Sequence, residues 1–343
     1  MIPHAFGQSE PWSVGIEEEL FVLDADTLEP APFPRGELDG VRLKQELFAA
    51  VVELNTGVCS SVAEAVAELA ELRAEAKERA AGAGLVLAGS GTWPTAVPEE
   101  QLITEDEGYK RFVDYAGPSA RRQFCSGLHV HVGMASPEAC MASLEAVLPW
   151  LPVVLAVSAN SPYVAGRETG LASSRAEILA LLPRSGAPPV FDSYEEWEAF
   201  AERLLALGLA DQYTRIWWDV RPHPRLGTLE VRMPDQPTRL EATAALAGLI
   251  HPLVAGAEPG PHADRGAYAE NRWSALRFGR AARLIHPAGD RLALIPELVD
   301  ELAARLGEDV AGPVRDLDQA GDQLRLGRAE GLRSLCERLV ALT

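Results

Sequence analysis

The sequence predicts an α+β protein in which helices flank a mixed or mainly antiparallel sheet. Three observations support this fold class. Extended segments are separated by helical segments of unequal length, two extended segments are joined by a short hairpin-like connection, and helices start at recognisable capping residues. A doubly wound parallel sheet would require a regular alternation of strands and helices, which the sequence lacks.

The predicted strands are short runs of β-branched and other apolar residues. The first covers residues 13–23, and the second ends the stretch 46–56. Further strands are expected at 85–88 and 123–134. The segments 213–220 and 228–233 are expected to form a hairpin, because the sequence PHPRLG between them contains the proline and glycine residues typical of a turn.

The predicted helices begin at serine caps or prolines. Ser61 and Glu64 have the spacing of a capping box, which predicts a helix over residues 61–82. Further helices are expected after Pro137, over residues 193–208 and over most of the chain beyond residue 238. No repeat or long linker divides the sequence, so we expect one domain over residues 1–343.

The charge of the chain excludes one class of partner. Among 343 residues, 31 are Lys or Arg and 50 are Asp or Glu, which gives a formal net charge of −19. Such a surface repels a phosphate backbone, so no nucleic-acid partner is expected. The only lysines are Lys44, Lys77 and Lys110, and no P-loop motif is present. We therefore expect arginine side chains or metal ions to hold any phosphate or carboxylate.

The cysteine pattern and the hydropathy suggest a cytoplasmic protein without a membrane partner. The four cysteines are scattered without a CxxC pair, which is typical of reduced thiols. No secretory signal follows the first residue. The most apolar stretch, residues 144–157, contains two prolines and is shorter than a membrane span. Oligomerisation stays open.

Ionisable residues recur in phase on several predicted strands. Because side chains alternate between the faces of a strand, residues two apart share a face. The pairs that share a face in this way are Glu17 with Glu19, Glu53 with Asn55, His129 with His131, Asp219 with Arg221, and Glu230 with Arg232. If these faces point the same way, several carboxylates meet. Such carboxylates repel one another unless a hard divalent cation such as Mg²⁺ or Mn²⁺ binds them.

Each of these pairs also has a simpler structural interpretation. The acidic run at residues 17–19 fits a solvated edge strand. His129 and His131 fit a hydrogen-bonded core pair or a zinc site, and Glu230 with Arg232 fits an exposed ion pair worth under about 1 kcal/mol. Only the occurrence of all the pairs in one chain favours a metal-dependent site.

Seven segments of the sequence resemble one known family. They are, in order, residues 15–19 (GIEEE), 52–56 (VELNT), 127–133 (GLHVHVG), 158–162 (SANSP), 218–224 (WDVRPHP), 227–232 (GTLEVR) and 270–273 (ENRW). This set closely resembles the type-two glutamate–cysteine ligases, also called carboxylate–amine ligases. The resemblance extends from about residue 13 to residue 280.

The resemblance implies a glutamine-synthetase-like fold with a curved, mostly antiparallel sheet that binds ATP and divalent metal ions, Mg²⁺ or Mn²⁺. It also implies a reaction between small-molecule substrates. ATP phosphorylates the γ-carboxylate of glutamate, and the amine of cysteine attacks the acyl phosphate to form an amide.

The resemblance also assigns roles to individual residues. It places metal ligands at Glu17, Glu19, Glu46, Glu53, His129 and Glu230. Among these, Glu53 and Glu230 are implied to be catalytic together with Arg232, which would face the transferred phosphoryl group. Arg221, Arg232 and Arg272 are candidates for holding ATP. Arg167, Asn160 and Trp218 are candidates for binding the substrates.

Three other functions stay open from the sequence. The ligase could use a different amine acceptor. The same carboxylates and histidine could activate water in a metal-dependent amide or phosphate hydrolase. A non-catalytic module that binds a nucleotide or an amino acid is the third alternative.

Overall fold

The structure is a computed structural model that describes residues 2–34, 36, 38 and 40–343. Its strands are β1 Val14–Asp24, β2 Leu43–Gln45, β3 Val51–Asn55, β4 Leu85–Ala88, β5 Leu128–Gly133, β6 Tyr163–Val164, β7 Arg167–Glu168, β8 Ser185–Gly186, β9 Trp217–Trp218, β10 Val220–His223, β11 Thr228–Val231, β12 Arg283–Ile285 and β13 Leu292–Leu294.

The helices lie between and after these strands. They are α1 Val62–Gly82, α2 Glu107–Ala116, α3 Pro118–Arg121, α4 Pro137–Val147, α5 Leu151–Ser158, α6 Ser174–Leu179, α7 Tyr194–Ala206, α8 Leu240–Ala255, α9 Arg265–Phe278, α10 Ile295–Leu306, α11 Glu308–Ala311, α12 Gln319–Glu330 and α13 Leu332–Leu342.

Seven strands form the main sheet, in the order β10-β11-β5-β1-β3-β2, with β4 paired to β1. Every pairing in this sheet is antiparallel. The eleven-residue β1 is long enough to pair with β5 along its first half and with β4 along its second half. The predicted α+β class, with helices around a mainly antiparallel sheet, is confirmed.

One face of the sheet is covered by α1 and α8. In β1 the even-numbered residues from Val14 to Leu20 are buried against this layer, and the odd-numbered ones from Gly15 to Glu19 are less buried. The layer includes Leu69 and Leu72 of α1, which belong to the main hydrophobic core. The opposite face of β1 is therefore left free to carry polar side chains.

The start of α1 agrees with the prediction, with one change of partner. Ser61 accepts a hydrogen bond from the Glu64 amide, as an N-cap should. The Glu64 carboxylate, however, accepts hydrogen bonds from the amide and the hydroxyl of Ser60. The reciprocal hydrogen bond of the capping box is therefore made with Ser60, the residue before the N-cap, and not with Ser61.

The predicted hairpin exists, but its first strand lies further along the chain than expected. Tyr213–Arg215 form a 3₁₀ turn, and the hairpin strand is β10, which includes Pro222. Pro222 is tolerated because β10 is an edge strand of the sheet, where a residue without an N–H leaves no partner strand unpaired. Gly227 closes the turn with φ +67°.

Two other expected segments also differ. The strand expected over residues 123–134 covers only β5, because the backbone before it turns: the Gln123 amide donates to the Ala120 carbonyl and the Cys125 amide donates to the Gln123 carbonyl. The region after residue 238 is largely helical as expected, but it also contains the β12–β13 hairpin.

The apolar helical stretch that contains α4 and α5 is longer than expected, because its two internal prolines do not end it. A helical stretch of 22 residues, Pro137–Ser158, is long and apolar enough to cross a membrane by length and composition. The expectation that it is too short is therefore wrong. However, 78% of its most apolar window is buried inside the protein, and every residue of α5 is buried. This stretch packs as part of the core.

Candidate active site

The polar face of the sheet places its ionisable residues directly opposite one another across neighbouring strands. Glu17 of β1 lies opposite Asn55 of β3 on one side and opposite His129 of β5 on the other. Glu19 lies opposite Glu53 in the same way. These pairs lie in contact because side chains opposite each other across an antiparallel pair are close neighbours.

The next row of the sheet carries a histidine, a carboxylate and an arginine. His131 of β5 lies opposite Glu230 of β11, and Glu230 lies opposite Arg221 of β10. These residues therefore share one face of the sheet, whereas Asp219, which the sequence pattern paired with Arg221, forms an ion pair with Arg272 instead. The residues come from five strands and meet through the register of the sheet.

A first group, here called the Glu17 cluster, consists of Glu17, His131 and Glu230. Each residue offers a ligand atom within 4.8 Å of the others. The Nε2 atom of His131 lies 3.3 Å from Oε1 of Glu17 and 4.0 Å from Oε1 of Glu230. It is buried and makes no hydrogen bond within the described part of the chain. A buried imidazole nitrogen facing two carboxylates is the donor set that a divalent cation would satisfy.

A second group, here called the Glu19 cluster, consists of Glu19, Glu46 and Glu53, again with ligand atoms within 4.8 Å. Lys44 Nζ lies 3.2 Å from Oε1 of Glu53, and Asn55 donates to the same oxygen over 2.8 Å. Three carboxylates in one place form an all-oxygen donor set of the kind that Mg²⁺ and Mn²⁺ prefer. The residues present in both clusters therefore fit divalent ions.

Burial and repulsion change the acidity of the Glu19 cluster. Burial raises the pKa of Glu46, and the charges of Glu53 and Glu19 raise it further, well above the ordinary value. Burial also raises the pKa of Glu19, although Arg175 and the amide of Gly127 oppose the effect. Without a bound cation, this cluster favours partial protonation.

The Glu17 cluster has the opposite balance. Burial raises the pKa of Glu17, but the charge of His131, whose Nε2 atom lies 3.3 Å from Oε1 of Glu17, and the hydrogen bond from His129 outweigh burial and hold the pKa well below its ordinary value. Burial likewise opposes ionisation of Glu230, but its pKa is held well below the ordinary value by Arg221, Arg232 and His131. Both carboxylates are therefore ionised in the folded protein.

His129 lies beside the Glu17 cluster. Its Nδ1 atom is 3.0 Å from Oε2 of Glu17. Burial, followed by the charge of Arg232, lowers the pKa of His129 to about 4. The ring is therefore neutral, which is the form that can bind a metal ion. Sequence reasoning selected His129 as a ligand, whereas the geometry places His131 in the cluster.

Two arginines hold Glu230 from opposite sides. Arg221 donates to both carboxylate oxygens, over 2.6 and 3.2 Å, and its other nitrogen donates to the carbonyls of Thr214 and Ile216. Arg232 forms an ion pair with Oε1 of Glu230, and 17% of its side chain is exposed. Arg221 is thus held by backbone carbonyls. Among the described residues the Arg232 side chain donates only to Glu230, so its other N–H groups can donate to a ligand.

Arg175, at the start of α6, holds the backbone at Arg232 in place. It donates to the carbonyl oxygens of Arg232 and Met233 over 3.1 and 3.2 Å, and it is 2% exposed. A Cβ atom at Gly127 would lie 2.0 Å from its Nη2 atom. Glycine is therefore required at position 127 to admit this guanidinium.

A cavity of about 800 Å³ opens above these residues. It is lined by Glu17, Glu19, Glu46, Glu53, Lys44, His129, Arg221 and Arg232 among others. A side cavity of about 120 Å³ shares Glu19, Glu46, His129 and Arg232 with it and extends toward Phe48, Phe112 and Trp217. The carboxylates and the arginines therefore face a space that could hold a ligand.

Four of the expected site residues lie elsewhere. Arg272 forms a buried ion pair with Asp219, and Trp218 is buried and stacks on Phe200. Arg167 is exposed on β7. Asn160 is 1% exposed, and its side chain donates to Gln236 and Thr238. None of the four lines either cavity.

Sequence reasoning placed His131 on the same strand face as His129 but did not select it as a metal ligand, and it assigned no role to Lys44, Arg175 or Gln123. All four residues lie at the site. The segments that hold Lys44, Arg175 and Gln123 carry no such pattern. Their positions depend on long-range packing.

Solved structures show which fold the chain adopts. The model is similar to a glutamate–cysteine ligase from Francisella tularensis in complex with AMP, with a TM-score of 0.72 and 14% identity over 97% of this chain and 88% of that one. It is equally similar to a bifunctional glutathione synthetase from Pasteurella multocida, with a TM-score of 0.72 and 14% identity over 96% of this chain and 52% of that one. The fold is the glutamine-synthetase-like fold.

The chain belongs to glutamate–cysteine ligase family 2, whose model matches residues 13–330. A relative from Rubrobacter xylanophilus is 40% identical over 308 residues, which is 88% of this chain and 85% of the relative. The glutamate–cysteine ligase of Haloferax volcanii is 33% identical over 343 residues, covering 95% of this chain and 96% of that protein. The expected family and fold are confirmed.

Proposed function

We propose that the protein joins the γ-carboxylate of glutamate to the amine of cysteine in an ATP-dependent reaction. The γ-phosphoryl group of ATP moves to the carboxylate, which gives an acyl phosphate and ADP. The amine then attacks the acyl carbon, the amide forms and phosphate leaves. The observation that carries this proposal is that Glu17, Glu19, Glu46 and Glu53 line one cavity together with His129, Arg221 and Arg232. Glu230 is buried beside them and paired with Arg221.

The two clusters would hold the divalent ions that accompany ATP. Glu19, Glu46 and Glu53 form one donor set for Mg²⁺ or Mn²⁺, and Glu17, His131 and Glu230 form the other. His129 stands next to the second set. Bound there, such ions neutralise phosphate charge and polarise phosphoryl oxygens.

Arg232 would stabilise the charge of the phosphoryl group during transfer. Its ion pair with Glu230 and the anchoring of its carbonyl by Arg175 limit its motion. Because the guanidinium is held before the substrate arrives, little reorganisation is needed as charge develops. Arg221 would keep Glu230 ionised and fixed in place.

The side cavity would receive the amine acceptor. Gln123 lines it, is 8% exposed, and its Oε1 atom has no hydrogen-bond partner within the described part of the chain. An ammonium or amine group could donate to this oxygen. The volume of about 120 Å³ and the aromatic lining by Phe48, Phe112 and Trp217 favour a small acceptor side chain such as that of cysteine.

The test is a screen for ADP release with Mg²⁺, ATP and glutamate, with cysteine as the first of several amine acceptors. We expect ADP release to require both amino acids. Glu53→Gln and Glu230→Gln should each lower it by roughly 10²–10³-fold. Glu308→Gln, an exposed carboxylate paired with Arg315, is the matched control and should leave the rate unchanged.

Two results would contradict the proposal. One is ADP release that does not depend on any amino acid. The other is a rate that is the same in the wild type and in both active-site variants. Amide or phosphate-ester hydrolysis without ATP would instead indicate a hydrolase.

A further inference from the structure

A second cavity, here called the α12–α13 cavity, lies away from the proposed active site. Its volume is about 520 Å³, and it shares no lining residue with the active-site cavities. It is bordered by the start of α8 and by α12 and α13. A space of this size is large enough for a small organic ligand.

One wall of the cavity is apolar. Leu326 of α12 and Leu335, Leu339 and Leu342 of α13 line it. These leucines would contact the apolar part of a ligand and release water from both surfaces.

Charged side chains form the rim. Arg239 and Arg338 are exposed, and neither makes an ion pair within the described part of the chain. Asp316 is exposed on the same cavity and likewise has no ion pair among the described residues. The 16-residue helix α8 begins beside Arg239 without a side-chain cap. Asp318 and Asp322 also line the cavity, but both are paired with Arg325. The rim therefore offers two cations and a helix N-terminus to an anion, and the carboxylate of Asp316 to a cation.

Two glutamines add unsatisfied hydrogen-bonding atoms. Gln323 is 3% exposed, and its amide nitrogen donates to Asn160 and Ser90 while its Oε1 atom has no partner in the described structure. The Nε2 atom of Gln319 is buried and similarly lacks a partner there, although its Oε1 atom accepts from the Thr238 amide. One free acceptor and one free donor are costly to bury unless a ligand pairs with both.

From these features we propose that the α12–α13 cavity binds a small zwitterion with an apolar side chain, such as an aliphatic amino acid or a short apolar peptide. The carboxylate lies near Arg239, Arg338 and the Gln319 amide. The ammonium group lies near Asp316 and the Gln323 oxygen. The side chain packs on the leucines. This site is independent of the proposed ligase reaction.

The test is calorimetric titration of the full chain with L-leucine and L-leucyl-L-leucine, and with N-acetyl-L-leucine and L-leucinamide, which each lack one charge. We expect saturable binding of leucine or of the dipeptide, whichever matches the cavity, and at least tenfold weaker binding of the two singly charged compounds. Arg338→Ala and Gln319→Glu should each weaken binding at least tenfold. Gln319→Glu keeps the oxygen that accepts from Thr238.

Two control variants make the result specific. Arg283→Ala removes an exposed arginine of β12 that has no ion pair in the described structure, and binding should not change. Arg232→Ala alters the proposed active site and should also leave binding unchanged. The proposal is overturned if neither zwitterion binds, or if binding survives Arg338→Ala and Gln319→Glu, whether or not it is lost in Arg232→Ala.

Discussion

Three consecutive glutamates of β1 lie in two very different environments. Glu18 points to the helical layer and is fully buried. Arg73 of α1 contacts both of its oxygens, over 2.6 and 2.8 Å, and Gln236 and Thr243 also donate to it. Its charge is thus balanced by the protein itself.

Glu17 and Glu19 point to the other face and lie in clusters with further carboxylates. In the Glu19 cluster three carboxylates meet near one lysine, Lys44. Glu18 therefore belongs to the fold, whereas the crowded carboxylates of the Glu19 cluster mark a place for an external cation.

The largest expected effect is a loss of stability on the helical face of β1, where Glu18 is paired with Arg73. Arg73→Met leaves Glu18 buried without its counter-ion, and breaking such a pair typically costs about 3–5 kcal/mol. We expect a loss of this size in the free energy of unfolding, measured by urea denaturation. Arg79→Met, on the same helix but in a partly exposed pair with Glu75, should cost less than about 1 kcal/mol. Equal losses in the two variants would show that burial of the pair is unimportant.

The next largest effect is a loss of turnover caused by a substitution on the polar face of the sheet. Arg232→Gln removes the guanidinium but leaves Glu230 paired with Arg221. ADP release should fall by roughly 10²–10³-fold, while the unfolding midpoint stays close to that of the wild type. A large loss of stability with little loss of turnover would place Arg232 with the structural charges.

A smaller effect should have the opposite sign: a substitution in the Glu19 cluster should raise the free energy of unfolding, whereas breaking the Glu18–Arg73 pair lowers it. Glu46→Gln removes one carboxylate from the Glu19 cluster and relieves its repulsion, so the metal-free protein should become more stable by roughly 1 kcal/mol. The same variant should lose most of the rise in melting temperature that Mg²⁺ gives the wild type. If the metal-free variant is less stable than the wild type, Glu46 contributes to the fold as Glu18 does.

The smallest effect is a difference in pH dependence between Glu46 and Glu145. Burial opposes ionisation of Glu145, but its ion pair with Arg265 lowers the pKa below the ordinary value. The stability that this pair contributes is present above the ordinary pKa of a glutamate and is lost as the pH falls. Glu46 has a raised pKa, so its contribution is present at low pH and is lost as the pH rises.

Unfolding midpoints of the metal-free protein between about pH 3.5 and pH 8 would check these signs. Glu145→Gln should flatten the acid side of the profile, and Glu46→Gln should flatten the side above the ordinary glutamate pKa. The assignment fails if either variant changes the opposite side.

Much of the local structure could be predicted from the sequence. The alternation in β1, the cap at Ser61 and the turn closed by Gly227 depend on residues within a few positions of one another, and all three are present. The family and its fold could also be recognised from the sequence, because each motif that identifies them is a short run of consecutive residues.

Only the tertiary structure decided which side chains meet. Strand alternation gives Glu17 a face of the sheet but does not say which side chains it contacts. The position of His131 opposite Glu230 depends on the register between β5 and β11. Arg175 reaches Arg232 from α6, and Asn160 turns away from the site into a buried hydrogen-bond network. The physical reason is that local sequence sets backbone conformation, whereas contacts between distant segments depend on how the whole chain packs.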